Sequence, residues 1–433
     1  MGLKKQVAHM APNTGQEIAP LIENNDQTQD LEIDVPKEDF EPAPECCIYK
    51  VPSRFREANE KAYTPQLISI GPIHHGNTNL ARMERQKQRY YNKFYQRTSK
   101  KILEEFASFI KAHVSDICRC YDVEFVFDTE LEVSKFVKMI LFDSVFIIEL
   151  FLRNSEKEVN DFLFDKVWLR VELLMDLLLL ENQLPFFILE ALYNLAFATS
   201  DKPSFPRLAC LYFNANEDHL FNKMGIKHFT DLTRSILVGA RPSDSIERID
   251  NMYSAMMLRE AGVKFEAIRD NFNVSNLYVK FEKGVLQIPY MYVNYQSEIW
   301  IRNLIAFEQC HYSGEAYFCS YIQLLDYLID TDKDVDLLVK KGIFVNDMGS
   351  SAAVANMINN LMTGVVALSP CYDKIGKDLN EYYDNSWNRT KATLKHVYFN
   401  NLWRGTATVA AFIVVVLTVT QTVLAILDQA PLT

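Results

Sequence analysis

The chain has 433 residues, of which 48% are hydrophobic and 12% aromatic, and its formal net charge is −11. This length exceeds that of one typical domain, and the apolar content is sufficient for a large buried core. The acidic balance argues against a nucleic-acid-binding protein, which needs a basic face to displace counterions from phosphate.

Residues 1–45 form an acidic leader, in which three lysines and ten carboxylates give a net charge of −7. This composition cannot bury enough apolar surface to offset chain entropy, so residues 1–45 are predicted to be disordered. The start, MGLKKQ, lacks the apolar stretch of a secretory signal, and Gln6 replaces the Ser or Thr that a myristoylation pattern requires. Neither a secretory signal nor a lipid anchor is therefore predicted there.

The next segment, residues 46–400, is predicted to be a large helix-rich globular domain with a few short strands. It contains all eight cysteines, at positions 46, 47, 118, 120, 210, 310, 319 and 371. They are too sparse for a disulfide framework, and their close pairs do not have the C-x-x-C spacing that zinc prefers. We predict reduced thiols, most of them buried as small hydrophobes.

Two adjacent histidines, His74 and His75, lie in the motif ISIGPIHHG at residues 68–76. We interpret residues 66–70 as a strand that is followed by a Gly-Pro turn. Neighbouring side chains on a strand point to opposite faces, and no H-x-x-x-H frame is present. Turn formation or hydrogen bonding in the core is therefore favoured over metal binding.

Helical periodicity follows the motif. A long amphipathic helix is predicted over residues 79–110, with a basic face at Arg82, Arg85, Lys87, Arg89, Lys93 and Arg97. Such a face binds phosphate or lipid headgroups in some proteins, but interspersed acids such as Glu84 favour a merely solvated face. Two almost wholly apolar helices, over residues 131–153 and 161–181, contain isolated acids and fit the centre of a soluble bundle.

In the remainder of the domain, the hydrophobic pattern alternates between helical and strand-like periodicity. Pro185 is expected to end one helix and begin the next, and residues 200–250 are loop-rich. Residues 282–284 are predicted to turn a β-hairpin. Helices are expected again over residues 299–310 and, as a pair, over residues 321–344.

A charge-free stretch, residues 405–427, predicts a transmembrane helix, because 23 residues span roughly 30 Å as a helix. Basic residues precede it, at Lys391, Lys395, His396 and Arg404, whereas the tail at residues 428–433 has none. The positive-inside rule then predicts a single-pass, tail-anchored protein whose bulk is cytoplasmic. Glycans on the sequons at Asn273 and Asn388 would reverse that orientation.

Candidate chemistry is sparse. Glu181, Asn182 and Gln183 are polar between apolar helices and are expected to cap backbone groups near the Pro185 break. Cys310 and His311 are adjacent in sequence, but catalytic partners meet in space and neighbours rarely have the required geometry. No phosphate-binding loop or nucleophile elbow is present. We therefore predict no catalytic, cofactor or metal site.

An ordered series of motifs resembles one plant family. It comprises VPSRFREANEKAYTPQLISIGPIHHG, LARMERQKQRYY, DLLLLENQLPFFILEAL, LREAGVKF, GVLQIP, RNLIAFEQC and YLIDTDKDVDLLVKKGI. Together they resemble the family called domain of unknown function 247, also known as uncharacterised protein family 0481, over residues 46–427. The family has an aromatic residue where this chain has Ile73.

The resemblance implies a mostly helical plant protein with a C-terminal transmembrane helix and no established enzymatic activity. Grass members of the family are associated with self-incompatibility as candidate pollen-side determinants. We therefore expect a membrane-anchored protein that acts by protein–protein recognition or signalling, with an unknown protein partner and with lipid around residues 405–427. The alternatives are an enzyme that uses His75 with Glu84 or Glu181, and a scaffold that binds acidic lipid through the basic helical face.

Overall fold

The part of the protein that the structure describes is mainly α-helical. The computed structural model describes residues 42–158, 160–215, 225–239, 249–269, 277–366, 368–393 and 402–428. Most of the predicted disordered leader, the sequon at Asn273 and parts of the loop-rich segment 200–250 lie outside these ranges. The described part of the globular segment is helix-rich with a few short strands, as predicted.

The first half of the domain is assembled around one long helix. The helices are α1 (Ser53–Arg56), α2 (Ala81–Arg97), α3 (Lys100–Ala112), α4 (Val114–Arg119), α5 (Glu130–Glu156), α6 (Val167–Asp176), α7 (Phe186–Phe197), α8 (Phe205–Tyr212) and α9 (Phe229–Val238). Helix α5 begins with a capping box between Thr129 and Glu132. Because α5 is apolar on almost all sides, it is central, and α2, α3, α7 and α8 pack against it.

The second half combines helices with short strands. The strands are β1 (Lys264–Ile268), β2 (Lys280–Glu282), β3 (Val285–Pro289), β4 (Met291–Val293) and β5 (Phe344–Asn346). Strand β3 pairs in parallel with β1 and antiparallel with β2, while β4 pairs in parallel with β5. The hairpin predicted between β2 and β3 is confirmed, with Lys283 and Gly284 both at positive φ. The helices here are α10 (Ala255–Glu260), α11 (Ser297–His311), α12 (Tyr317–Leu328), α13 (Asp332–Lys340), α14 (Ser351–Leu361), α15 (Asp373–Asp384) and α16 (Ser386–Thr393).

Three hydrophobic clusters hold these elements together. One comprises buried residues between Cys47 and Ile236, and a second comprises buried residues between Leu237 and Leu379. A small third cluster joins chain-distant positions, among them Phe55, Leu180 and Phe307. The third cluster therefore packs the N-terminal segment and the α6–α7 connection against α11.

The helix predicted over residues 79–110 is two helices, α2 and α3. The break falls at Thr98 and Ser99, and the Ser99 hydroxyl accepts a hydrogen bond from the Ile102 amide at 3.4 Å. A serine in extended conformation is a good N-cap, so a new helix starts there without Gly or Pro. This break changes the direction of the chain while both helices still pack on α5.

The predicted transmembrane helix is corrected by the structure. Residues 402–428 form one helix, α17 (Leu402–Asp428). Among the residues described, no helix is both long enough and apolar enough to span a bilayer, so the prediction for residues 405–427 is wrong.

Candidate functional site

An extended segment, residues 66–71, lies among buried polar side chains of α5 and of the residues from the end of α6 onward. It is not part of a β-sheet, which corrects the strand interpretation. The Asp176 carboxylate at the end of α6 accepts hydrogen bonds from the Gln66, Leu67 and Ile68 amides at 2.9, 2.7 and 2.7 Å. Burial raises the pKa of Asp176 to about 7, although these three donors oppose the rise.

The polar residues after α6 continue this pattern. Asn182 accepts from the Ile70 amide at 2.7 Å and donates to the Ile68 carbonyl at 3.0 Å. Gln183 accepts from the Phe229 amide at 3.0 Å, at the start of α9. These side chains do bind backbone groups, but those of distant segments and not those at the Pro185 break, where α7 has no side-chain cap. For residues 66–70 they take the place of the hydrogen bonds that a neighbouring strand would provide.

Glu181 is a buried junction between the N-terminal segment and the motif ISIGPIHHG. Its carboxylate accepts from the Val51 amide at 2.7 Å and from the Arg56 guanidinium at 2.5 Å. The His74 ring lies 3.0 Å away through Nε2. Burial raises the pKa of Glu181, but the hydrogen bonds from His74 and Arg56 outweigh burial and hold the pKa below its usual value.

The two histidines have different environments. His74 is half-buried against Glu181, whereas the His75 side chain is exposed. Glu84 pairs with Lys87 at 2.7 Å, so the described contacts of Glu84 and Glu181 do not include His75. These contacts therefore do not bring His75 together with Glu84 or Glu181, as the enzyme alternative requires.

Helix α2 is tied to α5 by buried charges. The Lys87 ammonium, which is 1% exposed, lies 2.6 Å from Asp143, and Asp143 also accepts from the Gly71 amide at 2.9 Å. At the other end of α2, Arg97 donates to Glu149 at 2.9 Å. Sequence reasoning noted these acids in an apolar helix but did not identify their partners, because the partners lie more than 50 positions away.

The outer face of α2 carries the cations that remain. Arg82, Arg85, Arg89 and Lys93 follow each other at intervals of three and four residues, so they share one side of the helix. We call these four residues the basic stripe. Arg82, Arg85 and Lys93 are exposed and Arg89 is half-buried, and none of the four forms an ion pair with a described residue.

Cys310 and His311, which are adjacent in sequence and were not expected to act as a catalytic pair, have separate surroundings. His311 Nδ1 lies 2.9 Å from the Tyr49 hydroxyl, and burial raises the pKa of the Cys310 thiol to about 11. Within the described ranges, no group of three or more His, Cys, Asp or Glu side chains is arranged to hold a metal ion.

Comparison with known proteins places the chain in a family. A family model described as a plant protein of unknown function, DUF247, matches residues 48–417. The chain belongs to the DUF247 family. The UPF0481 protein At3g47200 of Arabidopsis thaliana is 29% identical over 420 residues, which cover 88% of this chain and 87% of the relative. A second UPF0481 protein from Arabidopsis thaliana, At3g02645, is 22% identical over 473 residues, with 86% and 88% coverage.

No solved structure matches the DUF247 chain. The family model and the two relatives confirm the resemblance seen in the motifs, at the level of an uncharacterised plant family. Two of the motifs that carry the resemblance, residues 51–76 and 176–192, meet at Glu181, Asp176 and Asn182. Their role in this structure is to fix the backbone of residues 66–71.

Proposed function

We propose that this DUF247 protein acts by protein recognition, binding an acidic segment of a partner protein along the basic stripe of α2. The observation that carries the proposal is the row of four cations without ion-pair partners among the described residues. From Arg82 to Lys93 the row is about 16 Å long, the span of three helical turns. A cationic row on a chain of net charge −11 attracts an acidic surface locally while the rest of the molecule repels it.

The attachment of α2 supports recognition by a preformed surface. Its inner face is fixed by Met83, Tyr90 and Phe94, which are at most 3% exposed, and by the ion pairs of Lys87 and Arg97. A helix held in this way presents its outer charges on a backbone that needs no ordering on binding, so only the side chains lose conformational freedom. Steering by such charges affects the association rate and the choice of partner more than the final affinity.

The burial of the apolar face of α2 favours a protein partner over a lipid surface. A helix that lies in a membrane interface inserts its apolar face between headgroups and acyl chains. Here the apolar face of α2 is occupied by the protein core, so only the charges are available. Binding to acidic lipid through the basic face alone is the alternative that the test below separates.

An enzymatic role based on His75 receives no support from these contacts, because Glu84 and Glu181 have other partners. The association of grass members with self-incompatibility extends the proposal to a pollen-side recognition determinant. Specificity would then come from surface loops in residues 200–250, parts of which lie outside the described ranges. Absence of the protein from pollen, together with intact self-recognition in plants lacking the gene, would remove that extension.

The test compares charge reversal on and off the basic stripe. The double variant Arg82→Glu, Arg89→Glu is expected to weaken binding of a labelled polyglutamate peptide by roughly tenfold. The matched control Lys100→Glu, Lys101→Glu changes the charge equally on exposed α3 residues and is expected to retain binding. Increasing salt should reduce the affinity of the wild type and the control, but affect the stripe variant less.

Two results would contradict the proposal. Equal peptide binding by the stripe variant and the control would show that the stripe is only a solvated face. Stripe-dependent binding to phosphatidylserine vesicles without binding to the peptide would assign the surface to lipid.

A further inference from the structure

Two cysteines from distant parts of the chain lie next to each other at the N-terminal edge of the first hydrophobic cluster. The amides of Cys47 and Ile48 both donate to the Cys120 carbonyl, at 2.9 and 2.8 Å. Ile48 and Tyr121 form an isolated parallel bridge, which puts Cys47 and Cys120 side by side. Paired extended segments lie about 4.8 Å apart, within the Cα separation of roughly 4.4–6.8 Å that a disulfide requires.

The Cys120 thiol donates a hydrogen bond to the Asp116 carbonyl at 3.3 Å. The neighbouring Cys47 lowers the pKa of Cys120, and Lys227 lowers it further, against the opposing effects of burial, Glu45 and Asp116. Since a thiolate is the reactive form of cysteine, we take Cys120 as the nucleophile of the pair. All eight cysteines of the chain are free thiols in the structure.

An open pocket gives access to this pair. Its volume is about 580 Å³, and Cys47 and Cys120 line it together with His113, Arg119, Phe187 and Lys227. The lining also contains Asp116 and Glu45, and Glu45 pairs with Arg119 at 3.3 Å. Lys227 is the lining cation that favours a thiolate at Cys120. A pair of buried thiols without such an opening would be inert.

We propose that Cys47 and Cys120 form a redox-active dithiol, which a peroxide oxidises to an intramolecular disulfide. The Cys120 thiolate attacks one peroxide oxygen, the O–O bond breaks, and the hydroxide that leaves takes up a proton to become water. The Cys47 sulfur then attacks the resulting sulfenic acid, losing its proton, and a second water is released as the S–S bond forms. Two thiols and one hydrogen peroxide thus yield one disulfide and two waters.

Oxidation would fasten the N-terminal segment to the end of α4. The same segment donates the Val51 amide to Glu181, so the disulfide adds a covalent tie next to an existing polar one. The loop closed between residues 47 and 120 is long, and long closed loops restrict the unfolded chain most. The oxidised protein is therefore expected to have a higher Tm than the reduced protein.

The experiment treats the full-length reduced protein with hydrogen peroxide and follows its intact mass. The expected result is a loss of two hydrogen atoms, with a cross-linked peptide that joins residues 47 and 120, and reversal by dithiothreitol. Cys47→Ala and Cys120→Ala are each expected to abolish this product. Cys46→Ala and Cys118→Ala, which remove the neighbouring cysteines, are expected to retain it.

Capture by phenylarsine oxide provides a second readout that needs no oxidation, because the arsenical bridges two adjacent thiols. Circular dichroism of each variant confirms that it folds. Cross-links that involve other cysteines, sulfinic acid without any disulfide, or an unchanged product in folded Cys47→Ala would each overturn the proposal.

Discussion

His228 shows how one buried ring couples folding to pH. It is 0% exposed, its Nε2 lies 2.9 Å from the Cys47 carbonyl, and its Nδ1 accepts from the Asp231 amide at 3.3 Å as the N-cap of α9. Burial lowers its pKa from 6.5 to about 3. Between these values the unfolded chain binds a proton that the folded protein does not, so stability is present above pH 6.5 and is lost as the pH falls.

As the pH falls from 7 to 5, protonation of His228 in the unfolded chain is expected to lower the free energy of unfolding by about 2 kcal/mol. His228→Asn keeps an N-capping side chain but cannot titrate, so it should lower stability at pH 7 yet flatten the pH dependence. Urea unfolding at both pH values measures the difference, with the exposed His75→Asn as the control. Equal slopes for wild type and His228→Asn would contradict the assignment.

The extended segment 66–71 shows what limits prediction of an element. Most of its N–H groups donate to side chains about 110 positions away, on Asp176 and Asn182, and no local pattern in the sequence encodes that pairing. The hairpin before β3, by contrast, was predictable because Gly284 marks a local turn. The end of α2 at Thr98 was missed because a serine cap is a weaker signal than Gly or Pro.

At the end of this segment, adding a single methyl group to Gly71 should destabilise the fold. Gly71 has φ +72°, and an added Cβ would lie 2.5 Å from the Gln183 carbonyl oxygen. Gly76 has φ +83°, but a Cβ there would meet nothing within 4 Å. Gly71→Ala is therefore expected to cost roughly 3 kcal/mol or more, and Gly76→Ala about 1 kcal/mol. Comparable urea midpoints for the two variants would show that residues 66–71 are not held against Gln183.

At the scale of the whole molecule, a buried ion pair links the two large hydrophobic clusters. Arg234 on α9 donates to Glu308 on α11 at 2.7 Å and packs 3.7 Å from the centre of the Tyr312 ring. Glu308 also accepts from the Cys319 amide at 2.8 Å, and burial raises its pKa although Arg234 opposes the rise. The sequence analysis did not identify this pair, because Arg234 and Glu308 are 74 positions apart.

Arg234→Met is expected to destabilise the protein by about 3–5 kcal/mol, because it leaves the Glu308 charge buried and unpaired. Adding Glu308→Gln should restore part of the loss. Lys100→Met, which removes an exposed partner of Glu104, should cost less than about 1 kcal/mol. Urea unfolding followed by tryptophan fluorescence and by circular dichroism should give one shared midpoint for Arg234→Met. Separate midpoints would show that the two clusters unfold independently.

The side-chain support of residues 66–71 also constrains the order of synthesis and folding. The segment leaves the ribosome long before Asp176 and Asn182 have been translated, since about 110 residues separate them. At roughly 5–20 residues per second this delay is on the order of 6–20 s, far longer than the formation of a helix. During that interval the backbone N–H groups of residues 66–71 lack their final acceptors. Helices α2 and α3 can therefore form before residues 66–71 reach their final hydrogen bonding.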